Sequence, residues 1–100
     1  MEKALDRMRR LCSRREYCVS DVRGKLMKIL DGDLCKVDAV LKKLIDEKYV
    51  SDLRYATAFA RDKASIAGWG DTKIRFMLAA KCIDRDVISE ALSEVDEVKS

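Results

Sequence analysis

The chain has 100 residues, of which 48% are hydrophobic and 39% charged, and its formal net charge is +3. This length suits one small domain or a fragment of a longer protein, and it excludes large catalytic folds such as a barrel. The hydrophobic fraction excludes a chain that is disordered by low hydrophobicity. Because no apolar run approaches the ~18 residues that cross a bilayer and the N-terminus is charged throughout, we expect a cytoplasmic protein with no membrane partner.

The spacing of apolar residues predicts helices along the whole chain. Proline is absent and glycine occurs only four times, so the frequent turns of a small β protein are missing. In residues 1–50 three helices are expected. The first carries apolar residues on one face, namely Leu5, Met8 and Cys12. The second begins at the N-cap Ser20 and ends at residues 31–33. The third ends near Lys48, and its apolar face comprises Val37, Val40, Leu41, Leu44 and Ile45.

Residues 51–100 predict three further helices. An N-cap at residues 51–52 begins the fourth, and a glycine-tryptophan-glycine break at residues 68–70 ends it. The fifth is capped by Asp71 or Thr72 and carries Ile74, Met77 and Leu78. A short turn at residues 82–84 precedes the sixth, whose apolar residues are Val87, Ile88, Ala91, Leu92 and Val95.

The two halves share one apolar pattern. Val22 and Leu26 precede Ile74 and Leu78 by 52 positions, and the third and sixth helices match at an offset of 51. Chance alignment of two helical hairpins is the alternative explanation. We expect an all-α fold of two tandem three-helix repeats, residues 1–50 and 51–100, because one such repeat buries too little core alone. The six helices are then expected to form a right-handed or curved array.

The residue types argue against catalysis and against a metal site. Histidine is absent, so neither a Ser-His-Asp nor a Cys-His arrangement is possible, and no Walker loop or GxGxxG motif occurs. The four cysteines form no CxxC pair, which favours helix packing over zinc or disulfides. We read Cys35 and Cys82 as packing residues in equivalent turns. No enzyme activity, cofactor, metal or small-molecule substrate is expected.

Charge is segregated along the chain, and two basic stretches are candidates for partner binding. The first stretch, residues 7–15, has no acid, and its candidates are Arg9, Arg10, Arg14 and Arg15. The second stretch, residues 54–81, supplies Arg54, Arg61, Lys63, Lys73, Arg75 and Lys81. Such patches bind nucleic-acid phosphates or an acidic protein surface, or they are simply solvated. Trp69, the only tryptophan, is either an exposed anchor or a loop aromatic folded onto the helices.

Sequence-specific DNA reading is not expected. A helix-turn-helix built from the last two helices would present residues 84–97 to the major groove. That segment carries six acidic residues and one arginine, so phosphates would repel it. Any nucleic-acid contact should therefore be made to the backbone and be independent of sequence.

The order of short motifs resembles the RecX family of regulatory proteins, which modulate the bacterial recombinase RecA. In the second half the pattern is Asp52-x-Arg54-Tyr55-Ala56-x-x-Phe59-Ala60-Arg61-Asp62-Lys63, then Gly68-x-Gly70-x-x-Lys73-Ile74-x-x-x-Leu78-x-x-Lys81-x-Ile83. The first half agrees through its arginine-rich residues 11–15, Ser20, Leu26 and the apolar positions of the third helix. The junction Lys48-Tyr49-Val50-Ser51-Asp52 also resembles the family.

The resemblance implies a protein that binds the RecA filament on single-stranded DNA and inhibits recombination, ATP hydrolysis and the SOS and DNA-repair response. It implies no catalytic residues. Cys82 departs from the family's usual glycine. Members of that family usually have a third three-helix repeat, so we expect this sequence to be either a truncated chain or a short member. Two alternatives stay open: a general helical nucleic-acid-binding protein and a purely structural module.

Overall fold

The structure is a computed structural model that describes residues 2–99, with side chains described for residues 2–95. Within that range the chain forms six α-helices and no strand, which confirms the all-α prediction. The helices are α1 (Glu2–Arg14), α2 (Val19–Ile29), α3 (Leu34–Asp46), α4 (Asp52–Ser65), α5 (Asp71–Ala80) and α6 (Arg85–Lys99). They fall into two compact units, Met1–Ser51 and Asp52–Ser100, with three helices each.

In the first unit α3 packs against both α1 and α2. Its core consists of aliphatic residues from all three helices: Ala4, Leu5, Met8, Val22, Leu26, Val37, Val40, Leu41, Leu44 and Val50. The prediction that Ile45 belongs to this face is wrong, because its side chain is 43% exposed. The buried residues of α3 are those at positions 37, 40, 41 and 44. Ile45 follows Leu44 directly, so its side chain points about 100° away from that of Leu44 around the helix axis.

In the second unit α6 packs against α4 and α5. The buried residues of α4 are the small ones, Ala56 and Ala60, and a small residue lets a neighbouring helix approach closely. The remaining core comes from α5, α6 and the turn between them: Ile74, Leu78, Ile83, Ile88, Ala91, Leu92 and Val95. Met77, predicted for the apolar face of α5, is 39% exposed.

Two predicted helix starts are wrong. The N-cap of α2 is Cys18, and Ser20 lies in the first turn with its hydroxyl 3.2 Å from the Cys18 Sγ. The N-cap of α5 is Gly70, so Asp71 is the first helical residue. Cys18 is fully buried, and burial raises the pKa of its thiol. This side chain therefore enters the core at the point where Ser20 was expected to cap the helix.

Three helices end in the same way, on a non-glycine residue in the left-handed conformation. Asp31, Lys48 and Cys82 have φ values of 52°, 65° and 61°. After α3 the Lys48 and Tyr49 N–H groups donate to the carbonyl oxygens of Ile45 and Leu44, at 3.0 and 2.9 Å. This is the Schellman pattern, which satisfies carbonyls that the helix end leaves free.

Cys35 and Cys82 are exposed, so the prediction that both are packing residues is wrong. They are not equivalent either. Cys35 is the second residue of α3, whereas Cys82 follows α5 in the left-handed conformation. The residue 51 positions before Cys82 is Asp31, which adopts the same conformation after α2.

We expect Cys82→Gly to raise the free energy of unfolding by about 0.5–1 kcal/mol. A side chain in the left-handed region costs about 1–2 kcal/mol, whereas the added freedom of glycine in the unfolded chain costs about 0.5–1 kcal/mol. The thiol is exposed, so little packing is lost. Thermal unfolding under reducing conditions measures the change. Cys82→Ala keeps the strain and serves as the control; an equal gain in both variants would contradict this explanation.

Candidate partner interface

Aromatic side chains form a stripe along α4 and continue into the loop after it. Tyr55 and Phe59 are four residues apart, and their rings stack with centroids 6.1 Å apart. Trp69 meets Phe59 edge to face, also at 6.1 Å. Gly68, in the left-handed conformation (φ 70°), turns the chain back towards α4. The backbone N–H of Trp69 then donates to the backbone carbonyl oxygen of Lys63 at 2.9 Å. Trp69 is therefore half-buried and folded onto α4.

Two lysines from different helices meet on this indole. The Nζ of Lys63, in α4, lies 4.9 Å from the Trp69 ring centroid, and the Nζ of Lys73, in α5, lies 4.1 Å from it. Lys63 also lies over Phe59 at 5.6 Å. Cation–π attraction holds the two ammonium groups at one point of the surface. We call Phe59, Lys63, Trp69 and Lys73 the Trp69 cluster.

The other predicted basic residues of the second unit do not join this cluster. Arg61 is exposed on α4 without a contact to it, and the Arg75 guanidinium donates to the Ser89 hydroxyl of α6 at 3.2 Å. Arg54 is exposed nine residues before Lys63, about 13 Å away along the helix axis. Lys81 is the exposed C-cap of α5. Of the six residues, only Lys63 and Lys73 thus meet at Trp69.

In the first unit Arg9 binds two carboxylates of its own chain. Its guanidinium donates to both carboxylate oxygens of Glu47, at 2.7 and 2.9 Å through one nitrogen, and to Asp6 at 3.1 Å. It also lies over the Tyr49 ring. The hydrogen bonds to Glu47 raise the pKa of Arg9. Arg9 therefore joins α1 to the end of α3, and fewer of its donors are left for a partner.

The remaining arginines of this stretch are exposed. Arg10 and Arg14 lie on α1, and Arg15 follows it with its guanidinium carbon 5.0 Å from the Tyr17 ring centroid. The Nζ of Lys25, in α2, approaches the same ring at 5.4 Å. Sequence reasoning missed Tyr17 and Lys25, because they are eight positions apart and a helix boundary lies between them. One indication of this contact is present in the sequence, namely that Tyr17 is an aromatic residue in a stretch rich in arginine and lysine.

Among the side chains that the structure describes, those of residues 2–95, no cluster of three or more Cys, Asp or Glu suits a metal ion. None of the helices in that range is long and apolar enough to cross a membrane.

Comparison with known proteins relates these three-helix units to a described family. Residues 51–92 match the family described as RecX, second three-helix domain. The regulatory protein RecX of Prosthecochloris aestuarii is 32% identical over 94 residues. That of Bacillus velezensis is 33% identical over 93 residues. A crystal structure of regulatory protein RecX has a TM-score of 0.83 and 30% sequence identity over 93% of this chain. Residues 51–92 thus match a RecX three-helix domain, and nearly all of the chain is similar to regulatory proteins RecX.

The matched regions cover nearly all of this chain but only part of each relative. They span 94% of this chain and 62% of the Prosthecochloris protein, and 93% of this chain and 35% of the Bacillus protein. The crystal structure is covered over 45% of its length. The chain thus spans less than two thirds of these relatives.

Proposed function

We propose that this protein binds the filament of the RecA recombinase in the cytoplasm and inhibits recombination, ATP hydrolysis and the SOS and DNA-repair response. Its similarity to the regulatory proteins RecX supports this role. The observation that carries the proposal is the Trp69 cluster, because it lies inside the segment that matches the second three-helix domain of RecX. The protein acts by binding and performs no chemical step.

The geometry of the cluster suits a filament of protein and DNA. An exposed lysine loses about 2 kcal/mol of rotamer freedom when a contact fixes it. Lys63 and Lys73 already rest on the Trp69 ring, so part of that ordering is complete before a partner arrives. Each ammonium keeps N–H donors for an anion, either a DNA phosphate or a carboxylate of the filament. Lys63 and Lys73, which come from different helices, therefore bind one polyanionic surface in a defined orientation.

The other basic residues, which do not join the Trp69 cluster, add to the general electrostatic attraction between the protein and the filament. On the second unit these are Arg54, Arg61, Arg75 and Lys81, and on the first unit Arg10, Arg14 and Arg15, with Arg9 contributing through its remaining donors. Exposed cations of this kind chiefly accelerate encounter and set the salt dependence of binding. The Trp69 cluster, whose side chains are already packed, supplies the fixed part of the interface.

A general nucleic-acid-binding protein without a recombinase partner is the second candidate. The combination of aromatic rings and cations in the Trp69 cluster favours it, since single-stranded DNA is held by such surfaces. This candidate predicts tight binding to bare DNA that falls steeply with salt. The RecA proposal predicts that the filament binds the protein far better than bare DNA does.

The proposal is tested by ATP hydrolysis of RecA on single-stranded DNA. We expect the full chain, added to RecA from the same organism, to lower the hydrolysis rate progressively. The order of addition separates two mechanisms. A protein that only competes for DNA inhibits when added before RecA but not after the filament has formed. A filament-binding protein inhibits in both orders. Unchanged hydrolysis at saturating protein in both orders would overturn the proposed function.

A further inference from the structure

A cleft of about 570 Å³ opens between α1 and α2 in the first unit. It lies within one unit, and the proposed function makes no use of it. One wall comes from the middle of α1, and the other runs along α2 from its first turn to its last. Its lining combines three kinds of surface: cations, apolar side chains and a stretch of bare helix backbone at Gly24.

The charge of the lining is predominantly positive. Arg7, Lys25 and Lys28 contribute three cations, against one carboxylate from Asp21. No residue of the described chain forms an ion pair with Arg7 or Lys28. Both are exposed, so they are available to a partner. This arrangement is complementary to a negatively charged segment.

The apolar part of the lining lies between these cations. Leu11 and Ile29 are half-buried in the cleft, one from each wall. The Tyr17 ring beside them already carries two cations, since Arg15 and Lys25 lie 5.0 and 5.4 Å from its centroid. A nucleobase that stacked on this ring would have to displace them. The lining therefore favours an aliphatic side chain over a base as occupant.

Gly24 provides an independent observation. It lies in the middle of α2, where glycine weakens a helix relative to alanine. Packing within the unit does not require it, because a Cβ built at this position meets no atom within 4 Å. Its backbone φ is not in the left-handed region either. The missing side chain instead opens the wall of the cleft to close approach by another molecule.

We propose that this cleft binds an acidic peptide segment of a partner protein. Carboxylates of the segment pair with Arg7, Lys25 and Lys28, and one of its aliphatic side chains lies over Gly24 between Leu11 and Ile29. The proposal goes beyond the RecA-filament role and does not depend on it. It adds a protein-binding site on the first unit to the basic interface proposed for the second.

The test is an NMR titration of the full chain, labelled with ¹⁵N, in the absence of RecA and DNA. The probe is a synthetic dodecapeptide of Glu and Asp with one central Leu. We expect saturable shifts of the Tyr17, Gly24, Lys25 and Lys28 amides. The same peptide with Ser in place of each acid is expected to cause none, and so is a dodecamer of thymidine nucleotides.

Substitutions at Gly24 separate binding from folding. Gly24→Leu fills the cleft, so the peptide should bind about tenfold more weakly, while the melting temperature rises because the helix gains a better helix former. Ala39→Leu, which adds a leucine to an exposed position of α3, is the matched control and should bind as the parent does. Arg7→Glu combined with Lys28→Glu should also weaken binding.

Three outcomes would overturn the proposal. The first is an absence of saturable shifts with the acidic peptide. The second is unchanged peptide affinity in Gly24→Leu. The third is shifts of the same cleft amides with the thymidine dodecamer but not with the peptide, which would assign the cleft to nucleic acid. Because RecA is absent, none of these outcomes depends on the proposed regulatory function.

Discussion

Leu44→Ala is expected to lower the free energy of unfolding of the first unit by about 2–5 kcal/mol, the usual range for truncating a buried leucine. Leu44 is fully buried and belongs to the core cluster that joins all three helices of that unit. The loss is a large fraction of the ~5–15 kcal/mol by which native proteins are usually stable. We therefore expect the helices of the first unit to melt at a clearly lower temperature, as followed by circular dichroism.

Ile45→Ala is the matched control. It removes a side chain of the same size from the adjacent position, but Ile45 is 43% exposed. A mostly solvated isoleucine contributes much less to stability, so its melting temperature should stay close to that of the parent. Equal losses at the two positions would contradict the assignment of the core face of α3.

Lys63→Glu combined with Lys73→Glu should reduce affinity for the RecA filament about tenfold or more, which corresponds to about 1.4 kcal/mol or more of binding free energy. The change replaces two attractions by two repulsions at the Trp69 cluster. It also removes the cation–π contacts with Trp69, worth about 0.5–1 kcal/mol each at an exposed site. Folding should survive, so helicity by circular dichroism serves as the check.

Lys3→Glu combined with Lys42→Glu makes the same change in net charge at exposed positions outside the proposed interface. If binding depends only on total charge, both double variants will lose affinity equally. If it depends on the Trp69 cluster, the control will retain nearly the affinity of the parent. We expect the second result. Equal losses of affinity in the two double variants would show that the Trp69 cluster is an ordinary solvated surface.

Helical periodicity predicted the fold well because burial follows it directly. Leu5, Met8 and Leu26 lie in the core, where their spacing placed them. The wrong predictions occur where the same residue pattern is compatible with two local structures. Ile45 continues an apolar run, yet α3 has no neighbour on that side. Ser20 is a residue type that often caps helices. In the structure, however, the buried Cys18 is the N-cap, so the helix begins two residues earlier.

The candidate site was less accessible from the sequence. The stacking of Tyr55, Phe59 and Lys63 follows from their spacing of four residues on one helix. The approach of Lys73 to Trp69 depends instead on the path of the loop through Gly68, which no periodicity reports. Charge counting likewise could not predict the ion pair of Arg9, because its partner Glu47 lies 38 residues away in the chain.

Binding of fluorescently labelled protein to single-stranded DNA, with and without ATP-loaded RecA from the same organism, tests the central claim most directly. At near-physiological salt we expect much tighter binding when the filament is present, because both the recombinase and the DNA then contribute contacts. The Lys63→Glu, Lys73→Glu double variant should lose most of that gain. Equal affinity for bare DNA and for the filament, or no binding to either, would contradict the account of this protein as a regulator that acts on the RecA filament.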